Sequence, residues 1–187
     1  KFLSPESDIS LSLQDPRLSV PGLFFVYWLS QLEDFSLTQI LKALQRSNVF
    51  VSARWSTAYS LFKRGLADAT FSYATSAVFH WQNESKRTVN ALSFQEGHPF
   101  VVEYAGVPKT CQHCERANAF IDFLVADQAQ RWIMEKNYML PVTSGLTKGT
   151  LFEELPDFKL MDSLEAAEFL ADKEDLVTEF ISVVGDG

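Results

Sequence analysis

Residues 9–75 alternate short β-rich runs with helix patterns, and this alternation limits the fold more than any other feature. The β-rich runs are "ISLSLQDPR", "NVFVSA" and "ADATFSYAT". Between them lie helix patterns that begin near Ser19, near Ser36 and at Ser56. In the first run Ile9, Leu11 and Leu13 alternate with polar residues, which is typical of a half-buried strand. The order of these patterns predicts an α/β fold, with a parallel or mixed sheet covered by helices.

The pattern changes after Val89. "VNALSFQEGHPFVVEYAGVPKT" is typical of strands with a turn at Glu96 and Gly97. Two consecutive helices are predicted in "CERANAFIDFLVADQAQRWIMEKN", with Asp127 capping the second. The tail "DSLEAAEFLADKEDLVTEFISVV" predicts a pair of acidic amphipathic helices.

Composition excludes several classes of protein. The chain has 187 residues, of which 47% are hydrophobic and 21% charged, so it can bury a substantial core. Its formal net charge is -8, and no basic stripe of the kind that binds nucleic acid is visible. The longest apolar run, "PGLFFVYWL", is too short to span a bilayer. No catalytic motif and no phosphate-cradling glycine loop occurs, so we predict neither an enzyme nor a cofactor.

The cysteines are Cys111 and Cys114, in "TCQHCERANAF". Their spacing fits a small disulfide loop, a redox pair or half of a metal site. A zinc site needs about four ligands, and His80, His98 and His113 do not occur at ligand spacing. A structural disulfide or inert thiols are therefore favoured, with redox or metal chemistry as the alternative.

Two groups of residues are candidates for ligand binding. Ser19 and Gly22 lie where a helix begins after a strand, and the exposed N–H groups and dipole of such a helix favour an anion. The alternative is that Ser19 only caps the helix. Trp55 precedes a helix and Tyr73 ends a strand, and ligands bind near the carboxyl ends of strands in open α/β sheets. Aromatic faces there can stack a heterocycle or hold a cation, although both rings could equally be core residues.

Several ordered stretches resemble the thiamine-binding periplasmic proteins of ABC importers, a family of type II solute-binding proteins. These stretches are "LQDPRLSVPGL", "ARWSTAYSLFKRGLADATFSYATSAVFH", "FQEGHPFVVEYAGV", "ANAFIDFLVADQAQRWI" and "NYMLPV". The resemblance covers roughly residues 8–142 in the expected order.

The resemblance implies roles for individual residues. Ser19 matches a position that contacts the phosphate or hydroxyethyl end of thiamine species, and Trp55 and Tyr73 match aromatics that enclose the ligand rings. Phe79 stands where the family has a tyrosine, so its ring remains but the phenol hydrogen bond is lost. Ala77 stands where a proline is usual.

The family fold has two α/β lobes joined by crossing strands, with the ligand in the cleft between them. On this resemblance, residues 1–90 form the second lobe, and residues 91–187 form crossing strands and C-terminal helices that return toward the first lobe. The first lobe is then largely missing from the chain, together with a signal peptide. The implied location is the periplasm, and the implied partners are an ABC-importer permease and the missing N-terminal lobe.

Other ligands fit the same fold. Ferric-ion-binding relatives use adjacent tyrosines, whereas Tyr73 in "SYAT" has no tyrosine neighbour. Polyamines, phosphonates and sugars stay open as alternatives, as does a different class of protein that uses the C-x-x-C pair for redox or metal chemistry.

Overall fold

A computed structural model describes residues 9–32, 34–84, 87–161 and 166–185, with the side chains of 166–170 left out. Contacts divide the chain into unit 1, Lys1–Ser72 with Leu160–Gly187, and unit 2, Tyr73–Lys159. The predicted division into residues 1–90 and 91–187 refers to the lobes of the longer family fold. The two contact-based units do not test it, so it stays a prediction. Among the described residues no helix is both long enough and apolar enough to cross a membrane.

The helices and strands follow the chain in the order that the sequence predicts for its first half. The strands are β1 (Leu11–Gln14), β2 (Val49–Ser52) and β3 (Ala69–Thr70). The α-helices are α1 (Val20–Ser30), α2 (Leu37–Arg46), α3 (Trp55–Lys63), α4 (Ser76–Asn83), α5 (Cys114–Val125), α6 (Asp127–Asn137) and α7 (Ala166–Val184).

The sheet of unit 1 is parallel and has the order β2-β1-β3. Leu11 of β1 pairs with Val49 on one side and with Ala69 on the other. All four residues of β1 are buried, so the expectation of a half-buried strand is wrong. The reason is that β1 is the central strand, and a parallel sheet is normally covered on both faces by its connecting helices.

Local signals predicted the helices of unit 1 well. Ser36 and Gln39 form a reciprocal capping box at the start of α2, whose apolar side chains are buried. Gly65 follows α3 with a φ of 69°, a conformation that glycine adopts without strain.

The helix α7 corrects the expectation of two tail helices, because residues 166–184 form one continuous helix. It packs against α1 and α2. The hydroxyl of Thr38 in α2 is hydrogen-bonded to the carboxylate of Glu179 in α7. Because α7 packs against two other helices, this tertiary packing stabilises one continuous helix in place of two shorter ones.

Unit 2 is built from α4, α5, α6 and a 3-10 helix at Leu151–Glu154. Val78, Met134 and Phe152 form its buried cluster. The two consecutive helices are where the sequence predicted them, except that Ala126 rather than Asp127 is the N-cap of α6.

The strands predicted in residues 89–110 are absent from the described part of that segment, which has one isolated bridge residue at His98. The turn at Glu96 is present, and Gly97 adopts a φ of 104°. A β-rich sequence forms a strand only where another strand supplies hydrogen-bond partners, which is why composition alone gave the wrong result here.

Candidate functional site

The carboxyl edge of the sheet in unit 1 carries the first group of candidate residues. Because β1, β2 and β3 are parallel, the segments that follow them meet at one edge. Ser19 follows β1, Trp55 follows β2, and Ser72 follows β3. The topology therefore brings two of the predicted site residues, Ser19 and Trp55, to the same edge.

Ser19 is the N-cap residue of α1, but its side chain accepts no hydrogen bond from the first turn of the helix. Its backbone N–H donates to the carbonyl of Asp15 at 3.0 Å, which fixes the loop between β1 and α1. The first turn of α1 contains no acidic residue, and Pro21 removes one of its donors. The usual capping role does not account for the hydroxyl of Ser19, and no acidic side chain in that turn offsets the positive end of the helix dipole.

Asp15 and Arg17 brace the same loop. The guanidinium of Arg17 donates to both carboxylate oxygens of Asp15, and Nη2 lies 2.7 Å from Oδ2. These hydrogen bonds, opposed by burial of the carboxyl group, lower the pKa of Asp15 below its usual value. Asp15 is therefore ionised at neutral pH and neutralises much of the charge of Arg17.

Gly22 is buried in α1, directly against the end of β1. A Cβ atom at this position would lie 2.4 Å from the carbonyl oxygen of Gln14 and 2.9 Å from the carbonyl carbon of Asp15. This close approach of helix to strand explains the need for glycine without any ligand. Participation of Gly22 in ligand binding through the helix start stays a prediction.

Trp55 is the first residue of α3 and is half-buried. Its ring stacks on Tyr59 with centroids 4.6 Å apart and planes inclined by 21°. Its Nε1 donates a hydrogen bond to Oγ of Ser72 at 2.9 Å. The protein thus contacts one face and the polar edge of the indole. The exposed part of Trp55 belongs to the rest of the ring.

A small pocket lies beside Asp15 and Arg17, entirely within unit 1. It has a volume of about 210 Å³, and its lining includes Asp15, Arg17, Ser52 and, from α7, Phe180. Ser19 and Trp55 are not part of that lining. Pockets that enclose drug-sized ligands usually start at about 300 Å³, so this pocket alone is too small for such a ligand.

The second group of candidates belongs to unit 2. Tyr73 is 55% exposed, and its carbonyl accepts a hydrogen bond from the N–H of Ser76 as α4 begins. Phe79, in α4, is 37% exposed. Both rings therefore have exposed aromatic surface.

Tyr138 is a residue of this group that the sequence analysis missed. Its ring meets Phe79 edge-on, with centroids 5.3 Å apart, and its hydroxyl accepts a hydrogen bond from Nδ2 of Asn83 at 3.1 Å. Among the described non-glycine residues, Tyr138 alone has a positive φ, at 53°. Such a conformation is uncommon for an aromatic residue and often marks a functional position. The usual signal for it is Gly or Asn, so nothing in the local sequence indicated it.

Cys111 and Cys114 are joined in a disulfide at the start of α5, with Cα atoms 5.5 Å apart. Cys114 is exposed and Cys111 is half-buried. Across the described ranges, no three His, Cys, Asp or Glu side chains are grouped so that they could hold a metal ion.

The amino-acid sequence of the chain matches a known protein family. Residues 3–138 match the family described as bacterial extracellular solute-binding protein. The chain is 33% identical over 167 residues to the thiamine-binding periplasmic protein of Escherichia coli K12, covering 89% of this chain and 51% of that protein. The corresponding protein of Salmonella typhimurium LT2 is 36% identical over 129 residues, covering 69% of this chain and 39% of that protein.

A solved structure agrees with these matches. The chain superposes on a periplasmic thiamin binding protein with a TM-score of 0.82 and 31% identity, over 97% of this chain and 57% of that one. The fold is therefore that of a type II periplasmic binding protein, as the sequence predicted. The chain spans about half the length of the curated relatives it matches. It belongs to the family of bacterial extracellular solute-binding proteins.

Proposed function

We propose that this chain is the ligand-binding part of the solute-binding subunit of an ABC importer, and that its ligand is thiamine or a related cationic heterocycle. The relatives at 33–36% identity are thiamine-binding periplasmic proteins, which supports both the class and the ligand. The subunit works in the periplasm, hands its ligand to the importer's permease, and changes no bond in it.

The observation that carries the proposal is the way Trp55 is held. A core tryptophan is normally covered on both faces, whereas Trp55 is fixed by Tyr59 and Ser72 yet stays half-exposed at the carboxyl edge of the sheet. A pre-oriented aromatic face of this kind is suited to a thiazolium ring, which it attracts by dispersion and by the cation–π interaction. The net charge of -8 favours the approach of a cation.

The opposite end of the ligand is assigned to Ser19. Its hydroxyl is not used by the helix, and the positive end of the α1 dipole lies beside it. A hydroxyl or phosphate group of the ligand would accept hydrogen bonds there. In unit 2, Tyr73 and Phe79 stay candidate ligand contacts with exposed aromatic surface, and Phe79 lacks the hydroxyl that a tyrosine would offer.

We further propose that the chain alone binds its ligand weakly. It spans about half of its relatives, and a cleft closes on its ligand only when both lobes are present. The first lobe is the missing wall, and the pocket of about 210 Å³ in unit 1 is too small to replace it.

A fluorescence and calorimetric titration with thiamine tests the proposal. Thiamine should change the tryptophan emission, and Trp55→Phe should remove most of that change. Trp132→Phe, which removes an exposed tryptophan of α6, is the matched control and should leave the change intact. Absence of heat and of any emission change at millimolar thiamine would exclude thiamine. Parallel titrations with spermidine, methylphosphonate and ferric ion identify the alternative ligands.

A further inference from the structure

The disulfide between Cys111 and Cys114 is a feature of unit 2 that the proposed function does not use. It closes the C-x-x-C loop "CQHC", and Cys114 is the first residue of α5. Cys114 is exposed, Cys111 is half-buried, and no residue of α5 is buried. External thiols therefore have access to the bond. Disulfides that are exposed to solvent are more often labile or catalytic than those that are shielded.

Contacts at the other end of α5 hold the helix in place without the disulfide. The buried side chain of Gln130, in α6, donates a hydrogen bond from Nε2 to the carbonyl of Leu124 at 2.7 Å. Oε1 of the same side chain accepts one from the N–H of Val142 at 2.8 Å. The buried cluster of unit 2 includes neither cysteine. Because so short a loop also restricts the unfolded chain little, a stabilising role accounts poorly for the bond.

The start of α5 favours negative charge on sulfur. The first N–H groups of a helix lack intrahelical partners, and the helix dipole is positive at that end. His113, the N-cap residue, makes no side-chain hydrogen bond to the first turn. Glu115 is the acidic residue of that turn, and Lys109 and Arg116 are cationic neighbours of the pair in the sequence. Thiolates at helix N-termini and near cationic side chains are typically the reactive ones.

We propose that the Cys111–Cys114 disulfide is a thiol–disulfide exchange site whose substrate is an external dithiol. One thiolate of the dithiol attacks the exposed Sγ of Cys114, the S–S bond breaks, and Cys111 leaves as a thiolate that takes up a proton. The second thiol of the dithiol then loses its proton and attacks the first, which releases Cys114 as a thiolate at the start of α5. The dithiol is thereby oxidised to a disulfide, and two electrons reduce the pair.

The spacing of the pair explains why the substrate is a dithiol. After the first step, Cys111 is only three residues from the mixed disulfide on Cys114. An attack across so short a distance has a high effective concentration, so it would expel a monothiol before a second monothiol arrived. A dithiol competes with this reversal because its own second thiol is equally close. The same chemistry fits a small dithiol or a pair of exposed cysteines on another protein.

Reduction of the folded 187-residue chain by dithiothreitol at neutral pH tests the proposal. Oxidised glutathione, an unconstrained disulfide, is the reference, and we expect the chain to be reduced at least roughly 5-fold faster. Circular dichroism recorded alongside the kinetics should show that the chain stays folded. A rate equal to or below that of the reference, or reduction only after unfolding, would overturn the proposal and leave a structural bond.

Single-cysteine variants identify the attacked sulfur. Cys111→Ser leaves the thiol of Cys114, and Cys114→Ser leaves that of Cys111. With dithiobis(nitrobenzoate) at neutral pH, the thiol of Cys114 should react at least roughly 5-fold faster than that of Cys111. Equal rates or the reverse order would contradict the assignment. Labelling of the reduced native chain with iodoacetamide, followed by mass spectrometry, makes the same comparison without a substitution, so a variant that fails to fold does not block the test.

Charge substitutions show whether α5 activates the sulfur. Asn118 is exposed and lies one helical turn after Cys114. In the reduced chain, Asn118→Asp should slow the reaction of the Cys114 thiol roughly 2-fold and Asn118→Lys should speed it by a similar factor, because a charge at this spacing disfavours or favours the thiolate. Gln128→Asp and Gln128→Lys, at an exposed position of α6, are the matched controls. Asn118 variants that behave like these controls would contradict activation by α5.

The same assay compares the two sources of the dithiol. Reduced thioredoxin presents a protein C-x-x-C pair, dithiothreitol presents a small dithiol, and the larger second-order rate constant identifies the preferred source. Reduced glutathione at an equal thiol concentration should be slower than either, and an equal rate would contradict the requirement for a dithiol. No thiamine is present in any of these measurements, so their outcome does not depend on the proposed function.

Discussion

Nε1 of Trp55 donates a hydrogen bond to Oγ of Ser72 at 2.9 Å, which ties the start of α3 to the segment that follows β3. The two residues lie in segments that follow different strands of the sheet, β2 and β3, so the bond fixes the indole relative to the sheet edge. It makes Ser72 a positioning residue for the aromatic surface to which we assign the ligand.

We therefore expect Ser72→Ala to weaken thiamine binding by roughly 5-fold, which corresponds to one neutral hydrogen bond. Fluorescence titration measures the effect. Ser60→Ala, in an exposed position of α3, is the control and should leave the affinity unchanged. Equal affinities for Ser72→Ala and the native chain would show that the indole is positioned without this bond.

Gly22→Ala should destabilise unit 1. The added Cβ would meet the backbone of Gln14 at 2.4 Å, and a backbone carbonyl cannot turn away as a flexible side chain does. Overpacking costs about 1–3 kcal/mol, and the better helix propensity of alanine offsets about 1 kcal/mol, so we expect a net loss of up to about 2 kcal/mol. Urea unfolding measures it. Gly106→Ala, where a Cβ would meet nothing within 4 Å, should be neutral.

His98 should make unit 2 less stable in mild acid. Burial is the main cause that lowers the pKa of His98 below 6.5, while the charge of Glu96 acts in the opposite direction. Its Nε2 accepts a hydrogen bond from the N–H of Phe94 at 2.8 Å, which requires the neutral ring. The unfolded chain therefore binds the proton more readily, and stability falls as the pH drops through 6.5 toward the lower folded value.

Thermal unfolding across this pH range, with the imidazole titration followed by NMR, tests the prediction. The titration midpoint of His98 should lie below 6.5, and His98→Gln should flatten the dependence of stability on pH in this range. A midpoint above 6.5 would reverse the sign and contradict the assignment.

Reduction of the disulfide between Cys111 and Cys114 should have a modest effect on stability. The bond closes a very short loop, for which chain-entropy arguments give about 2 kcal/mol. Unfolding with and without reductant measures the loss, and the double variant Cys111→Ser, Cys114→Ser should not respond to reductant. A much larger loss would indicate that the bond anchors α5 and does not only close its loop.

Helix boundaries in unit 1 could be predicted because their signals are local. The capping box of Ser36 and Gln39, and the left-handed Gly65 after α3, each depend on residues within one turn. The order of strands and helices then predicted a parallel or mixed sheet, and the parallel sheet places Ser19 and Trp55 at the same edge.

Features that depend on distant partners could not be predicted. The β-rich residues 99–107 form no strand, because strand formation is decided by pairing and not by composition. Tyr138 adopts its left-handed conformation at the end of α6 and meets Phe79 from far along the chain. The role of the Ser19 hydroxyl could not be predicted either. The sequence there is typical of an ordinary N-cap, whereas in the structure the hydroxyl accepts no hydrogen bond from the first turn of α1.

The position of β1 in the sheet also has a consequence for how the chain folds. β1 leaves the ribosome before both of its partners, β2 and β3, which follow later in the chain. Parallel pairing with a crossover between partners has a high contact order, and such contacts form slowly. The buried strand "LSLQ" therefore has no partner strand until residues 49–52 have been made, and it lacks the second one until Thr70. An unpaired strand and its exposed apolar side chains are prone to aggregation during that interval.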